Sequence, residues 1–201
     1  MPSETSPSLR IIEVGPVHLP EYASISATVL ITSIFILDLQ DGGLGGVRFH
    51  EEAVVPYIKD YDQDGGSPVT WTQQFFINNW GLFLAVQDDQ PVGAAAVAWN
   101  TNGTNMLEGR RELAVLWDIR VDPRHRREGI GAALFRHAAN WARARGCTRL
   151  KIETQNINVP ACRFYRRMGC ELGTIHRHAY VPPLDHEVQL NWYLDLTAER
   201  Q

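Results

Sequence analysis

The run Arg126-Arg127-Glu128-Gly129-Ile130-Gly131-Ala132 sets two arginines and two glycines between an apolar, strand-like stretch, Leu113–Val121, and an Ala/Arg-rich helical stretch, Ala132–Arg145. Those residue types in that order make an anion site. The first N–H groups of a helix lack intrahelical partners, and the helix dipole places partial positive charge on them. Glycine lets a ligand approach the backbone closely, and guanidinium groups just upstream suit phosphate. A dinucleotide site wants a third glycine in an early strand–helix–strand unit, whereas this motif comes late, after strands that read as antiparallel. A phosphate loop needs Gly-Lys-Ser/Thr, which is missing. A short pyrophosphate turn flanked by arginines fits coenzyme A better than either.

The elements that must position this motif follow from periodicity and punctuation. Arg10–Val14 and Thr28–Leu39 read as strands, the second as a buried one from its β-branched run. Asp41–Gly46 (DGGLGG) is a turn or loop that resembles a phosphate loop only superficially. Val47–Ser67 is acidic with Phe49, Tyr57 and Tyr61, and reads as a segment able to cover a substrate pocket. Thr70–Asn79 is expected to be a short helix. Leu82–Gln87 and Val92–Asn100 read as a hairpin across Asp88-Asp89-Gln90-Pro91, followed by the loop Thr101–Gly109 and the strand Glu112–Val121. A helix over Gly129–Arg145 ends at Gly146, and Arg149–Thr154 alternates as a strand. Val159–Met168 is helical, with Asn158 able to cap it, Pro160 in the first turn and Gly169 ending it. Glu171–Tyr180 and Glu187–Leu196 close the chain as strands. Antiparallel strands followed by a strand–helix–strand–helix–strand passage make an α+β domain with a mixed sheet. One domain is expected over residues 9–201 behind a polar, flexible tail of residues 1–8.

At 201 residues, 44% hydrophobic and 21% charged, the chain has the composition of a globular protein with a real core. A net charge of −4 argues against a nucleic-acid partner. Arginines crowd Arg120–Arg177 and acids crowd Asp38–Asp64, which suits an anionic cofactor and a cationic substrate. The apolar run Val29–Leu37 is too short to span a membrane, and no membrane partner is expected. Cys147, Cys162 and Cys170 form neither a disulfide framework nor a metal motif; with no basic leader at the start, they point to a cytoplasmic protein. His176, His178 and His186 lack the carboxylate or cysteine spacing of a zinc site, so no metal is expected. The six tryptophans read mostly as core or pocket lining.

The pattern Arg126-x-x-Gly129-x-Gly131 after Ile119-Arg120-Val121 resembles the acyl-CoA-binding signature of the GNAT N-acetyltransferases. Asn158-Val-Pro-Ala161-Cys-Arg-Phe164-Tyr165-Arg-Arg-Met-Gly169-Cys170 is similar to a second segment of that family, departing only in Cys170, where Phe is common. The match covers about Leu113–Leu172. Trp117-Asp118-Ile119, Glu153-Thr154-Gln155-Asn156, Trp192-Tyr193-Leu194 and the region Glu51…Tyr57-Ile58-Lys59-Asp60-Tyr61 look similar to streptothricin acetyltransferases, which acetylate an amino group on a β-lysine arm. The resemblance implies the acyl-CoA N-acyltransferase fold, a mixed, mostly antiparallel sheet of about six or seven strands flanked by helices. It implies acetyl-CoA as co-substrate, its pantetheine paired with main-chain groups of Ile119 and Val121 beside Arg120, its pyrophosphate on Arg127, Glu128, Gly129, Ile130, Gly131 and Ala132, with Arg126 adding charge and Asn158 bonding near the pantetheine. It places Tyr165 where a phenol can protonate the departing thiolate.

The acceptor must lose a proton before it attacks. A lysine-like amine with pKa about 10.4 is neutral in roughly one molecule per thousand near pH 7, so neutralising it costs roughly 4–5 kcal/mol. Asp118, Glu153 and Glu112 are the candidate bases, and the first two are alternatively groups that bind a cationic substrate. Strict alternation puts Glu112 and Asp118 on one face of their strand and Trp117 and Ile119 on the other. Three functions remain open: an N-acetyltransferase for a small cationic amine, by direct attack and with antibiotic resistance as one role; the same chemistry on a protein or peptide amine; and a non-catalytic acyl-CoA-binding module. A homodimer is compatible with each.

Overall fold

The structure, a computed structural model, describes residues 8–197; of the expected tail over residues 1–8, only Ser8 falls within them. In chain order the elements are β1 (Arg10–Val14), α1 (Leu19–Ala23), β2 (Thr28–Leu39), β3 (Val47–Asp60), α2 (Tyr61–Gly65), α3 (Trp71–Gln74), β4 (Gly81–Gln87), β5 (Gln90–Trp99), β6 (Leu113–Val121), α4 (Ile130–Ala144), β7 (Arg149–Gln155), α5 (Val159–Arg167), β8 (Glu171–His176) and β9 (Gln189–Asp195). The class is α+β, with mixed, mostly antiparallel pairing and flanking helices, as expected. The chain divides into two compact units, one formed by residues up to Ala27, Tyr61–Ile152 and the stretch from Leu194, the other by Thr28–Asp60 and Glu153–Tyr193.

In the first unit β1, β4, β5 and β6 pair antiparallel in that order, and β6 pairs in parallel with the start of β7. β5 runs Gly93-Ala-Ala-Ala-Val-Ala98 and is buried on both faces. Small side chains there let elements pack closely from both sides. One face, with Ala94, Ala96 and Ala98, meets Leu19, Tyr22, Ile25, Trp71 and Trp80. On the other, a Cβ at Gly93 would come within 2.9 Å of Ile130 and 3.0 Å of Leu134, so glycine is what allows α4 to seat against the strand. The buried stripe of α4, Ile130, Leu134, Phe135, Ala138, Ala139, Trp141 and Ala142, has helical periodicity and faces inward.

The second unit contains the β2–β3 ribbon and the antiparallel pair β8–β9. β3 was not expected: Val47–Asp60 alternates weakly and carries Pro56, yet it extends as a 14-residue strand against β2. The Asp41–Gly46 segment is the hairpin connection, closed by Gln40 N–H to the Gly46 carbonyl and Gly45 N–H to the Gln40 carbonyl, both at 3.0 Å. That geometry is a turn, with no element of a phosphate loop. β2 is not the buried strand its apolar run suggested. Only Ile31 is fully buried, while Leu30 and its cross-strand partner Ile58 are exposed, because a two-stranded ribbon has no second layer on that face. The helix expected over Thr70–Asn79 shrinks to α3 between short 3₁₀ turns.

Candidate active site

The segment Arg126–Ala132 leads from a capped turn into α4. Asp122 caps the turn Pro123–His125 by accepting the Arg124 N–H at 2.9 Å, and bonds from the Arg124 side chain and this N–H hold its carboxyl down at about 2. The chain then enters α4 through two residues with positive φ, Arg127 at 74° and Gly129 at 85°. Gly129 is the N-cap residue and offers no side-chain cap; the Ala133 N–H donates to its carbonyl at 3.0 Å. The N–H groups of Ile130, Gly131 and Ala132 thus fall in the turn that an α-helix leaves without intrahelical acceptors. A Cβ at Gly129 would meet nothing within 4 Å, so the approach is open. Arg126 and Arg127 are exposed, Arg126 donating from Nε to the Val121 carbonyl at 3.3 Å, and Glu128 pairs with His125.

β6 leads into this loop. Its register with β5 pairs Ala96 with Asp118 but Val97 with Leu116, so Trp117 is an extra residue, a β-bulge. Its parallel register with β7 runs from Leu113↔Arg149 to Leu116↔Ile152 and stops at the bulge. Among the described residues no ladder pairs with the edge of Ile119–Val121 facing away from β5, which is the edge a pantetheine arm needs if its amides are to pair as a strand. The bulge also overturns the face assignment made by alternation. Glu112 lies outside the strand, exposed and bonded to Arg110 at 2.8 Å, and cannot be placed beside Asp118 by counting residues.

Arg120 holds, through its side chain, a network that the sequence reading did not include. Its side chain is buried and all five N–H donors are spent. Nε and Nη2 reach Asp118 at 2.9 and 2.8 Å, Nη1 and Nη2 reach Asp62 at 3.0 and 2.9 Å, and Nη1 also reaches the Ile25 carbonyl at 3.0 Å. Burial opposes the charge, but the bonds and charge of Asp118 and the bonds of Asp62 outweigh it and hold the guanidinium protonated above its ordinary range. Its guanidinium is therefore no phosphate ligand; only its main chain remains for cofactor. Tyr22 donates to Asp118 at 2.8 Å and lies under the guanidinium at 5.3 Å. Burial first, and then the Asp118 charge, push this phenol well above its usual range. Next to Asp118, Trp117 packs edge-on against Phe75 (5.0 Å) and tilted against Trp80 (5.2 Å).

In the second unit Asn158 caps α5, its Oδ1 accepting the Ala161 N–H at 3.1 Å. Tyr165 is buried in α5, with Phe164 edge-on at 5.4 Å. Glu153 accepts a hydrogen bond from Tyr180 at 2.7 Å, and Gln155 donates to the same phenolic oxygen at 2.9 Å. Burial and the Glu153 charge push the Tyr180 phenol up. Asn156 is a structural staple: its side chain and main chain bond Phe35 and Val188 from both sides. The thiols of Cys147, Cys162 and Cys170 are pushed by burial to about 11, 12 and 12, which makes a cysteine nucleophile unavailable near neutral pH. Among the described residues no group of three or more His, Cys, Asp or Glu is arranged to hold a metal ion, and no helix is long and apolar enough to cross a membrane.

The bulged strand β6 runs into the glycine-opened helix α4, and residues 47–170 match the model of the acetyltransferase (GNAT) family. The chain belongs to that family. It is an acetyl-CoA-dependent N-acetyltransferase. The streptothricin acetyltransferase of Streptomyces lavendulae is 40% identical over 118 residues, a match spanning 57% of either chain. That of Escherichia coli is 28% identical over 186 residues, covering 90% of this chain and 94% of the relative. A Bacillus anthracis protein assigned to the streptothricin acetyltransferases, solved with acetyl coenzyme A, superposes with a TM-score of 0.72 at 25% identity over 94% of this chain and 97% of that one. The donor is acetyl-CoA, and the open approach at Gly129 before the N-terminus of α4 fits it.

Proposed function

We propose that this GNAT enzyme acetylates a primary amine of a small cationic acceptor, a streptothricin-like antibiotic, by direct attack on the donor thioester. The observation that carries the proposal is the continuity in the first unit of bulge, free strand edge and helix N-terminus. Main-chain groups of Ile119 and Val121 take the pantetheine amides, and the N–H groups of Arg127–Ala132 with the charge of Arg126 take the pyrophosphate. Acetyl-CoA supplies an acetyl group activated as a thioester. Asp118 serves the acceptor amine, Glu153 is the second candidate for handling its proton, and Tyr165 gives a proton to the leaving thiolate. For Tyr165 and Asn158 the support is the motif in which they stand. The buried thiols leave direct transfer to the amine as the economical route. Relatives named for streptothricin and the acidic stretch Asp38–Asp64 support a cationic acceptor, and the free buried cysteines support a cytoplasmic location.

The test is thiol release from acetyl-CoA with streptothricin, lysine-like amines and a peptide library as acceptors, with the product identified by the mass of one added acetyl group. Turnover on the cationic small amines is expected. Acetylation confined to peptides would move the acceptor class, and tight acetyl-CoA binding without turnover on any amine would leave a binding module.

A further inference from the structure

The clamp around Asp118 defines more than a carboxylate that happens to lie beside the bulge. An ionised carboxylate has about four lone-pair positions. Three are filled: Oδ1 accepts from the Tyr22 phenol and from Arg120 Nε, and Oδ2 accepts from Arg120 Nη2. The two-pronged contact from Arg120 fixes the plane of the carboxylate, and the Tyr22 bond fixes which oxygen is turned inward. Arg120 is itself fixed, since Asp62 grips it through both oxygens and the Ile25 carbonyl accepts a further N–H. The remaining position lies on Oδ2, on a side chain that keeps 19% of its surface exposed while Arg120 keeps 3%. The bulge at Trp117 presents the carboxylate at the end of the ladder with β7.

Building on the acceptor reading above, we infer that Tyr22 and Arg120, with Asp62 behind Arg120, are positioning residues that orient Asp118 so that its Oδ2 accepts a hydrogen bond from the acceptor's ammonium. Asp118 then anchors the acceptor, and Tyr22 and Arg120 set how selectively cationic acceptors are held. Neither residue touches the acceptor. A lysine at position 120 would keep the charge but lose the planar fork that holds two carboxylates.

The experiment is steady-state kinetics on the full chain with a lysine-like amine and acetyl-CoA each varied in turn. Tyr22→Phe removes one hydroxyl and keeps the ring, so folding is preserved. It is expected to raise the acceptor KM about fivefold to tenfold, the scale of one ordinary hydrogen bond, with kcat and the acetyl-CoA KM within about twofold. Arg120→Lys is expected to act in the same direction and more strongly, and Asp118→Asn to raise the acceptor KM furthest. A purely structural role would lower the thermal midpoint and change both substrates' KM alike, and that result overturns the inference. So does an acceptor KM unchanged in Tyr22→Phe while Asp118→Asn weakens it. Absence of turnover by the wild-type chain on any small amine would instead refute the acceptor reading itself.

Discussion

Replacing Gly129 by aspartate, with alanine as its control, tests the donor site on physical grounds that separate backbone from charge. Gly129 sits at φ 85°, ψ −3°, a left-handed conformation that costs an L-residue about 1–2 kcal/mol. Alanine incurs that cost and aspartate only part of it, and neither adds a clash, because a Cβ there meets nothing within 4 Å. Alanine should therefore lower stability by about that amount and weaken acetyl-CoA only through loosening of the turn. Aspartate adds a negative charge beside the proposed pyrophosphate. Two unit charges about 6 Å apart repel by about 0.7 kcal/mol in water and about 2.8 kcal/mol at an effective dielectric of 20, roughly three- to a hundredfold in Kd. Gly129 is exposed, so about tenfold relative to alanine is expected at low salt. The gap should narrow as salt shortens the screening length from about 10 Å at 0.1 M to about 3 Å at 1 M. Calorimetric titration of acetyl-CoA into both variants at two ionic strengths reads this directly. Equal affinities for alanine and aspartate at low salt would place the pyrophosphate away from α4 and refute the reasoning.

Three further outcomes are expected. Tyr165→Phe should lower kcat on the order of a hundredfold, the scale of a lost general acid, with acetyl-CoA affinity nearly unchanged; unaltered turnover would remove the proposed role. Gly93→Ala would push a methyl to 2.9 Å from Ile130, 3.0 Å from Leu134 and 3.1 Å from the Arg120 carbonyl, costing about 1–3 kcal/mol as overpacking. Because Ile130 opens α4, a lower thermal midpoint should come with weaker acetyl-CoA binding, and a midpoint equal to wild type would refute the packing argument. Tyr180→Phe should lose about 1–3 kcal/mol in urea unfolding by leaving Glu153 and Gln155 without their shared hydroxyl; a midpoint and slope equal to wild type would count against that network.

What the sequence disclosed were features whose physics is local. The glycine-opened turn before α4 is legible because its glycines, its arginines and the helix that follows are neighbours along the chain. Asn158 is legible as a cap for the same reason, and the structure shows its oxygen on the Ala161 N–H. β3 was missed because strand pairing with β2 stabilises a segment whose own alternation is weak. Tyr22 and Asp62 were missed because they meet Asp118 and Arg120 across 96 and 58 residues, and nothing in a tyrosine after Glu21 or an aspartate in an acidic stretch marks such a partner. The one available signal was Arg120 itself, an arginine two places from an aspartate on an otherwise apolar strand.

The bulge at Trp117 explains why these omissions fall at the site. Counting by twos from Glu112 assigns faces correctly only while both strands advance together. Here β6 advances two residues while β5 advances one, a property of the pair that neither strand's sequence contains. The extra residue ends the strict alternation, turns Trp117 toward Phe75 and Trp80, and leaves Asp118 and Arg120 two apart on one side, close enough to share two hydrogen bonds. The Arg120 side chain is thereby committed to carboxylates. The cations proposed for the donor are Arg126 and Arg127, which follow the strand and are exposed. The same irregularity that precedes the strand edge proposed for the donor thus supplies the carboxylate proposed for the acceptor.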